Sequence, residues 1–149
     1  YSYYVRNTYL ENRLRVPGAL VMCGTPVDLG PMAMPAYVLA AREDHIVPWK
    51  SAFASAELWG GDVEFVMGAS GHIAGVINPP GPKKRSYWTG NFPAPTPEAW
   101  DSKAKEHPGS WWPHWYAWLA PHSGKRVAAK KQPKSKLGAA PGTYVMAKA

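Results

Sequence analysis

Ala41-Arg42-Glu43-Asp44-His45-Ile46-Val47-Pro48-Trp49 and, further on, Gly68-Ala69-Ser70-Gly71-His72-Ile73-Ala74-Gly75 decide how this chain folds. Each follows a short apolar run: Ala36-Tyr37-Val38-Leu39-Ala40 before the first, Val63-Glu64-Phe65-Val66-Met67 before the second. Runs that are almost continuously apolar, with helix-length sequence beside them, read as buried strands of a parallel sheet. The segment from Lys50 to Trp59 has the length of the connecting helix. Pro48 suits its first turn, where a missing N–H costs nothing. Gly60-Gly61 is expected to stop it in a left-handed cap. One helix plus one strand separate Asp44 from His72, so both loops emerge at the same edge of the sheet. Open α/β sheets carry their sites at that edge. The expected fold class is therefore α/β.

A carboxylate after one strand and a histidine after the next is how an α/β-hydrolase delivers the last two members of a triad, the nucleophile coming earlier in the chain. Imidazole is the side chain best suited to general-base work near neutral pH, with an unperturbed pKa of about 6.5. An acceptor on its far nitrogen must hold the ring in one tautomer. Asp44 and His72 are the candidates for these two roles. A plainer reading has Asp44 capping the helix near Pro48 and His72 filling a glycine loop. Gly68, Gly71 and Gly75 give that loop the freedom to approach other main chain. His45 either faces the same pocket in support or ties its loop by hydrogen bonds. Cys23 stands before Gly24 but outside any G-x-C-x-G elbow, and reads as a buried thiol. No nucleophile is assigned within these residues. His107, His114 and His122 lack ligand spacing to acidic or thiol partners, so no metal site is expected.

The net charge of +7 over 149 residues is unevenly spread. Residues 1–106 carry 10 Lys/Arg and 10 Asp/Glu, whereas residues 107–149 carry 7 Lys/Arg and no Asp/Glu. This argues against a basic nucleic-acid face on the folded part and for a flexible cationic tail after a neutral domain. From Pro121 onward Lys, Ala and Pro dominate, and no regular structure is expected. Such a tail either solubilises the chain or binds a polyanion. No run approaches the roughly 18 to 20 apolar residues of a membrane span. The first residues do not have the pattern of a signal peptide, and a single cysteine leaves no internal disulfide.

Elsewhere, residues 3–14 read as an amphipathic helix ended by Val16-Pro17-Gly18. Ala19–Cys23 is a short strand candidate, with Val27-Asp28-Leu29 as a possible return. Lys83-Lys84-Arg85 is a solvated basic turn or a phosphate contact. Thr96-Pro97 marks a helix start. Residues 110–119 form a short aromatic helix whose Trp111, Trp112, Trp115 and Trp118 belong to a core or an interface, or else to a stacking surface.

Those two long motifs, together with Gly109-Ser110-Trp111-Trp112-Pro113, closely resemble the C-terminal part of class I polyhydroxyalkanoate synthases. Tyr4-Val5-Arg6-Asn7-Thr8-Tyr9-Leu10-Glu11-Asn12, Cys23-Gly24-Thr25-Pro26-Val27-Asp28-Leu29 and Pro141-Gly142-Thr143-Tyr144-Val145 match the same family. The resemblance implies the C-terminal part of an α/β-hydrolase fold. Residues 1–34 would be the end of a cap subdomain, 35–120 the catalytic core and 121–149 the tail. It also implies polymerisation of (R)-3-hydroxyacyl-CoA, with short-chain 3-hydroxybutyryl-CoA the expected monomer. Coenzyme A is released, no cofactor is needed beyond that thioester, and a cysteine carries the growing polyester chain. By motif, Asp44 and His72 match the family's catalytic aspartate and histidine. The family acts as homodimers at cytoplasmic granule surfaces. Because no G-x-C-x-G occurs here, the chain is expected to be a C-terminal fragment, inactive without the N-terminal part of the same enzyme. The alternatives are part of another α/β-hydrolase, an esterase or depolymerase, or a non-catalytic granule- or polyanion-binding module.

Overall fold

A computed structural model describes residues 1–81, 84–129 and 139–147. The opening residues form one turn of helix, α1 (Ser2–Tyr4), which widens into a π-helical turn over Val5–Leu10. A hairpin of β1 (Val21–Met22) and β2 (Thr25–Pro26) follows. The main sheet comprises β3 (Ala36–Ala41), β4 (Val63–Gly68), β5 (Ser86–Thr89) and β6 (Lys105–Pro108), side by side in that order. Its helices are α2 (Trp49–Ala56), α3 (Pro97–Lys103) and α4 (Trp112–Leu119).

β3 and β4 pair in parallel, in register from Ala36 opposite Val63 to Ala41 opposite Gly68. α2 is their crossover. β4 pairs antiparallel with β5, and β5 with β6. The fold is α/β with a mixed sheet, its parallel half being the one legible in the apolar runs. One face of the sheet packs Ala40, Phe65 and Met67 against Phe53 and Ala56 of α2 and Trp100 of α3. Phe65 meets Trp100 edge-on at 4.9 Å and Phe53 at 5.2 Å, the geometry aromatic quadrupoles favour. The other face carries Tyr37 and Tyr87 beneath α4. Tyr37 stacks on Trp111, sets its edge to Trp118 and shares a 3.0 Å hydrogen bond with His114 Nδ1. Burial pushes the Tyr37 phenol well above its ordinary pKa, so it stays protonated.

Several local expectations need correction. Cys23 is exposed, not buried. It stands in the turn of the β1–β2 hairpin with φ +48°, beside Gly24 at φ +78°. The returning strand is Thr25–Pro26 rather than Val27–Leu29. The helix expected over 3–14 is an α turn, a π turn and a separate 3₁₀ turn over Arg13–Arg15. Asn7 Nδ2 and Thr8 Oγ1 bond the carbonyls of Tyr3 and Tyr4, taking the acceptors an α-helical ladder would use. Its expected apolar stripe is uncovered: Tyr9 and Leu10 are about three-quarters exposed. Pro48 caps α2 from outside rather than filling its first position.

Gly60 and Gly61 are not left-handed caps either; what they provide is space. A Cβ on Gly60 would lie 1.6 Å from the Gly30 carbonyl oxygen, and one on Gly61 2.6 Å from that of Ala33. Thr96 caps α3 as expected, its Oγ1 accepting from the Ala99 N–H at 3.1 Å. Of the expected tail, residues 130–138 and 148–149 lie outside the described residues, as does Lys83 of the basic triplet. The described part of 121–149 is exposed, with a 3₁₀ turn over Tyr144–Met146.

Candidate functional site

β3 ends at Ala41 and β4 at Gly68, level with one another. The two loops that follow are joined before any side chain is considered. The Arg42 N–H donates to the Gly68 carbonyl at 2.8 Å, and the Glu43 N–H to that of Ser70 at 3.0 Å. Ser70 turns the second loop with φ +75°. The Arg42 guanidinium pairs with Asp101 at 2.6 Å and lies 4.2 Å over the Trp88 ring. The first loop is thereby fixed to α3 and β5 as well.

On that frame Asp44 Oδ2 accepts from His72 Nδ1 at 2.8 Å. The other oxygen, Oδ1, accepts from the Ile46 and Val47 N–H groups, each at 2.9 Å. Asp44 therefore closes the turn leading into α2 and meets the imidazole at once. Its side chain is 7 % exposed and that of His72 is 43 % exposed. The Val47 amide above all, then the His72 bond and the Ile46 amide, hold the Asp44 carboxyl below its ordinary pKa, against the opposing effect of burial. An ionised carboxylate only accepts, so the proton between the pair sits on His72 Nδ1. In neutral imidazole that leaves Nε2 with a lone pair, the form a general base requires. Two oriented groups, one nearly covered and one facing outward, can abstract a proton and return it.

His45 is exposed, and among the described residues no hydrogen bond reaches its ring. It is not brought into the pair. His107 bonds Thr89 Oγ1 at 2.9 Å and stacks on Tyr87, while His114, on α4, meets Tyr37 and Glu64 of the sheet. Among the described residues no three His, Cys, Asp or Glu side chains gather closely enough to hold a metal ion. No helix there is long and apolar enough to cross a membrane. A cleft lined by Glu64, Thr89, Asn91, Trp100, Lys103 and Lys105 opens at the opposite end of the sheet from the Asp44–His72 pair. Both loops carry exposed apolar side chains: Ile46 and Val47 after Asp44, Ile73 and Ile77 after His72.

A parallel β–α–β unit that ends in an aspartate and then a histidine, bonded at the carboxyl edge, defines an α/β fold of the α/β-hydrolase type. By sequence the chain is similar, over its whole length, to part of the poly(3-hydroxyalkanoate) polymerases. It is 52% identical to the polymerase subunit PhaC of Cupriavidus necator over the whole of this chain and 26% of that protein. The PhaC of Rhizobium meliloti is 49% identical, over the whole chain and 24% of its own length. Polymerase 1 of Ectopseudomonas oleovorans is 42% identical over 92% of the chain and 25% of that protein. The chain thus spans about a quarter of the length of the curated relatives it matches. No protein-family model matches it.

Proposed function

We propose that this chain supplies the acid–base half of the active site of a polyhydroxyalkanoate synthase of class I type. Such an enzyme is an acyltransferase that joins (R)-3-hydroxyacyl-CoA units into polyester. The observation that carries the reading is the Asp44–His72 bond at the carboxyl edge of β3 and β4, in a chain that matches such polymerases over its whole length. His72 Nε2 takes the proton of a cysteine thiol that lies outside these residues, because the thiolate is the nucleophile. The thiolate attacks the thioester carbonyl, a new carbon–sulfur bond forms, and the coenzyme A thiolate leaves with the proton held by His72. Asp44 then serves the 3-hydroxyl of the next unit, directly or through His72. That oxygen gives up its proton to the pair and attacks the enzyme-bound acyl carbonyl. The ester C–O bond forms, the C–S bond to the cysteine breaks, and the cysteine leaves as the thiolate, ready to accept the proton back. Asp44 also keeps the imidazole in the reactive tautomer.

The substrate is a short-chain thioester, 3-hydroxybutyryl-CoA, and no cofactor takes part. The rest of the same enzyme is the first partner, and a homodimer at the surface of a cytoplasmic polyester granule is the working form. His45 has no step in this scheme. The test is release of coenzyme A from (R)-3-hydroxybutyryl-CoA by the full-length enzyme, followed with a thiol reagent. His72→Gln is expected to bring the rate to background. A His72→Gln enzyme within twofold of the parent rate overturns the assignment.

A further inference from the structure

The segment after His72 is a single open turn, and its own bonds do not anchor it. Within it Gly75 N–H donates to Gly71 and Ile77 N–H to Ile73, each at 2.8 Å. Its hydrogen bonds to the rest of the described molecule converge on two residues. The Val76 carbonyl accepts from the indole N–H of Trp111 and from that of Trp112, both at 3.1 Å, and also from the Asn78 N–H at 3.0 Å. A carbonyl oxygen has two lone pairs, so three donors share this acceptor, and the two indoles are the ones that reach it from outside the turn. Asn78, buried, sends Nδ2 to the Gly109 carbonyl at 3.3 Å and to that of Lys84 at 3.4 Å. Gly109, at φ +94°, donates its own N–H to Arg85 and turns the chain from β6 towards Trp111.

Trp111 is in turn stacked on Tyr37 of β3 and edge-on to Trp112 and Trp115. Ring area alone does not account for this arrangement. Phenylalanine would fill much of the same space, but only indole brings a side-chain N–H to that carbonyl. We propose that Trp111 and Trp112 are positioning residues for His72: they clamp Val76 and so set where the imidazole stands above Asp44. The inference rests on the reading of His72 as the base. It gives the Gly109-Ser110-Trp111-Trp112 motif a task in the chemistry rather than only in packing.

The experiment uses the full-length polymerase and (R)-3-hydroxybutyryl-CoA. Trp111→Phe/Trp112→Phe keeps aromatic bulk and removes both N–H donors. It is expected to lower kcat about tenfold with KM unchanged, since small displacements of a catalytic group are costly in rate. It should also shift or broaden the downfield proton signal of the His72–Asp44 bond. Trp115→Phe is the control: it changes an indole on the same helix with no bond to Val76, and should leave kcat and the signal in place. Where the double variant does not fold, each single Phe variant removes one of the two bonds and is read in the same way, with a smaller loss expected. If the Phe variants keep the parent kcat and signal while His72→Gln abolishes release, the clamp is overturned and the base assignment stands. If His72→Gln itself retains the parent rate, the base assignment fails, and the clamp as a catalytic device fails with it.

Discussion

Asp44 divides its two oxygens between main chain and side chain, and the division decides what its substitution does. Asn at this position keeps an oxygen for the Ile46 and Val47 amides, so the turn into α2 survives. It replaces the second oxygen with an amide that donates. His72 Nδ1 would then have to accept, which moves the ring proton to Nε2 and removes the base. In the full-length enzyme Asp44→Asn should lower kcat by about 10³- to 10⁴-fold, the scale of wrong-tautomer losses in serine proteases, with the melting temperature little changed. Coenzyme A release and a calorimetric scan check the two halves of that expectation. Asp44 and His72 could be picked out of the sequence because each follows an apolar run by a few residues. Cys23 misled for a related reason. Val21 and Met22 suggested a strand passing through it, whereas its backbone is left-handed and the chain reverses there.

The strands β3 and β4 could be read almost residue by residue, since both are covered on two faces and their sequences show it, whereas α2 ends at Ala56, short of the expected Trp59. β5 and β6 could not. β5 is four residues behind a basic triplet, and β6 is Lys-Glu-His-Pro, a charged edge strand ended by a proline. Edge strands of this kind avoid the apolar alternation that would announce them. The glycines of the His72 loop were expected to permit close approach, and Gly75 does so most severely. A Cβ there would lie 2.7 Å from that of Ala41 and within 2.9 Å of the carbonyl oxygens of Ala69 and Gly71. Gly75→Ala should therefore destabilise the full-length enzyme by about 1–3 kcal/mol, as overpacking does. Because the crowding falls between the two site loops, it should lower kcat as well. Denaturant unfolding and steady-state rates of the same preparation test this, and a variant with unchanged stability would show that the loop has more room than the geometry allows.

At the scale of the whole molecule the even charge of residues 1–106 and the cationic remainder were plain in the composition. What covers the site was not. In the two loops that carry the pair, Ile46, Val47, Ile73 and Ile77 are exposed apolar side chains. With no thiol bonded to His72 among the described residues, the 149-residue chain alone should release no coenzyme A above background from (R)-3-hydroxybutyryl-CoA. Turnover that His72→Gln removes would overturn this and would direct attention to Cys23.

The bond from Glu43 to Ser70 has a consequence for how such enzymes can be rearranged. Acid and imidazole are locked to one another through backbone within a stretch of chain only 28 positions apart. The side chains that hold the two loops from outside, Trp88, Asp101, Trp111 and Trp112, also lie after β3, so the pair and its supports travel together. A hybrid joined in the connector ahead of β3 would inherit the pair intact.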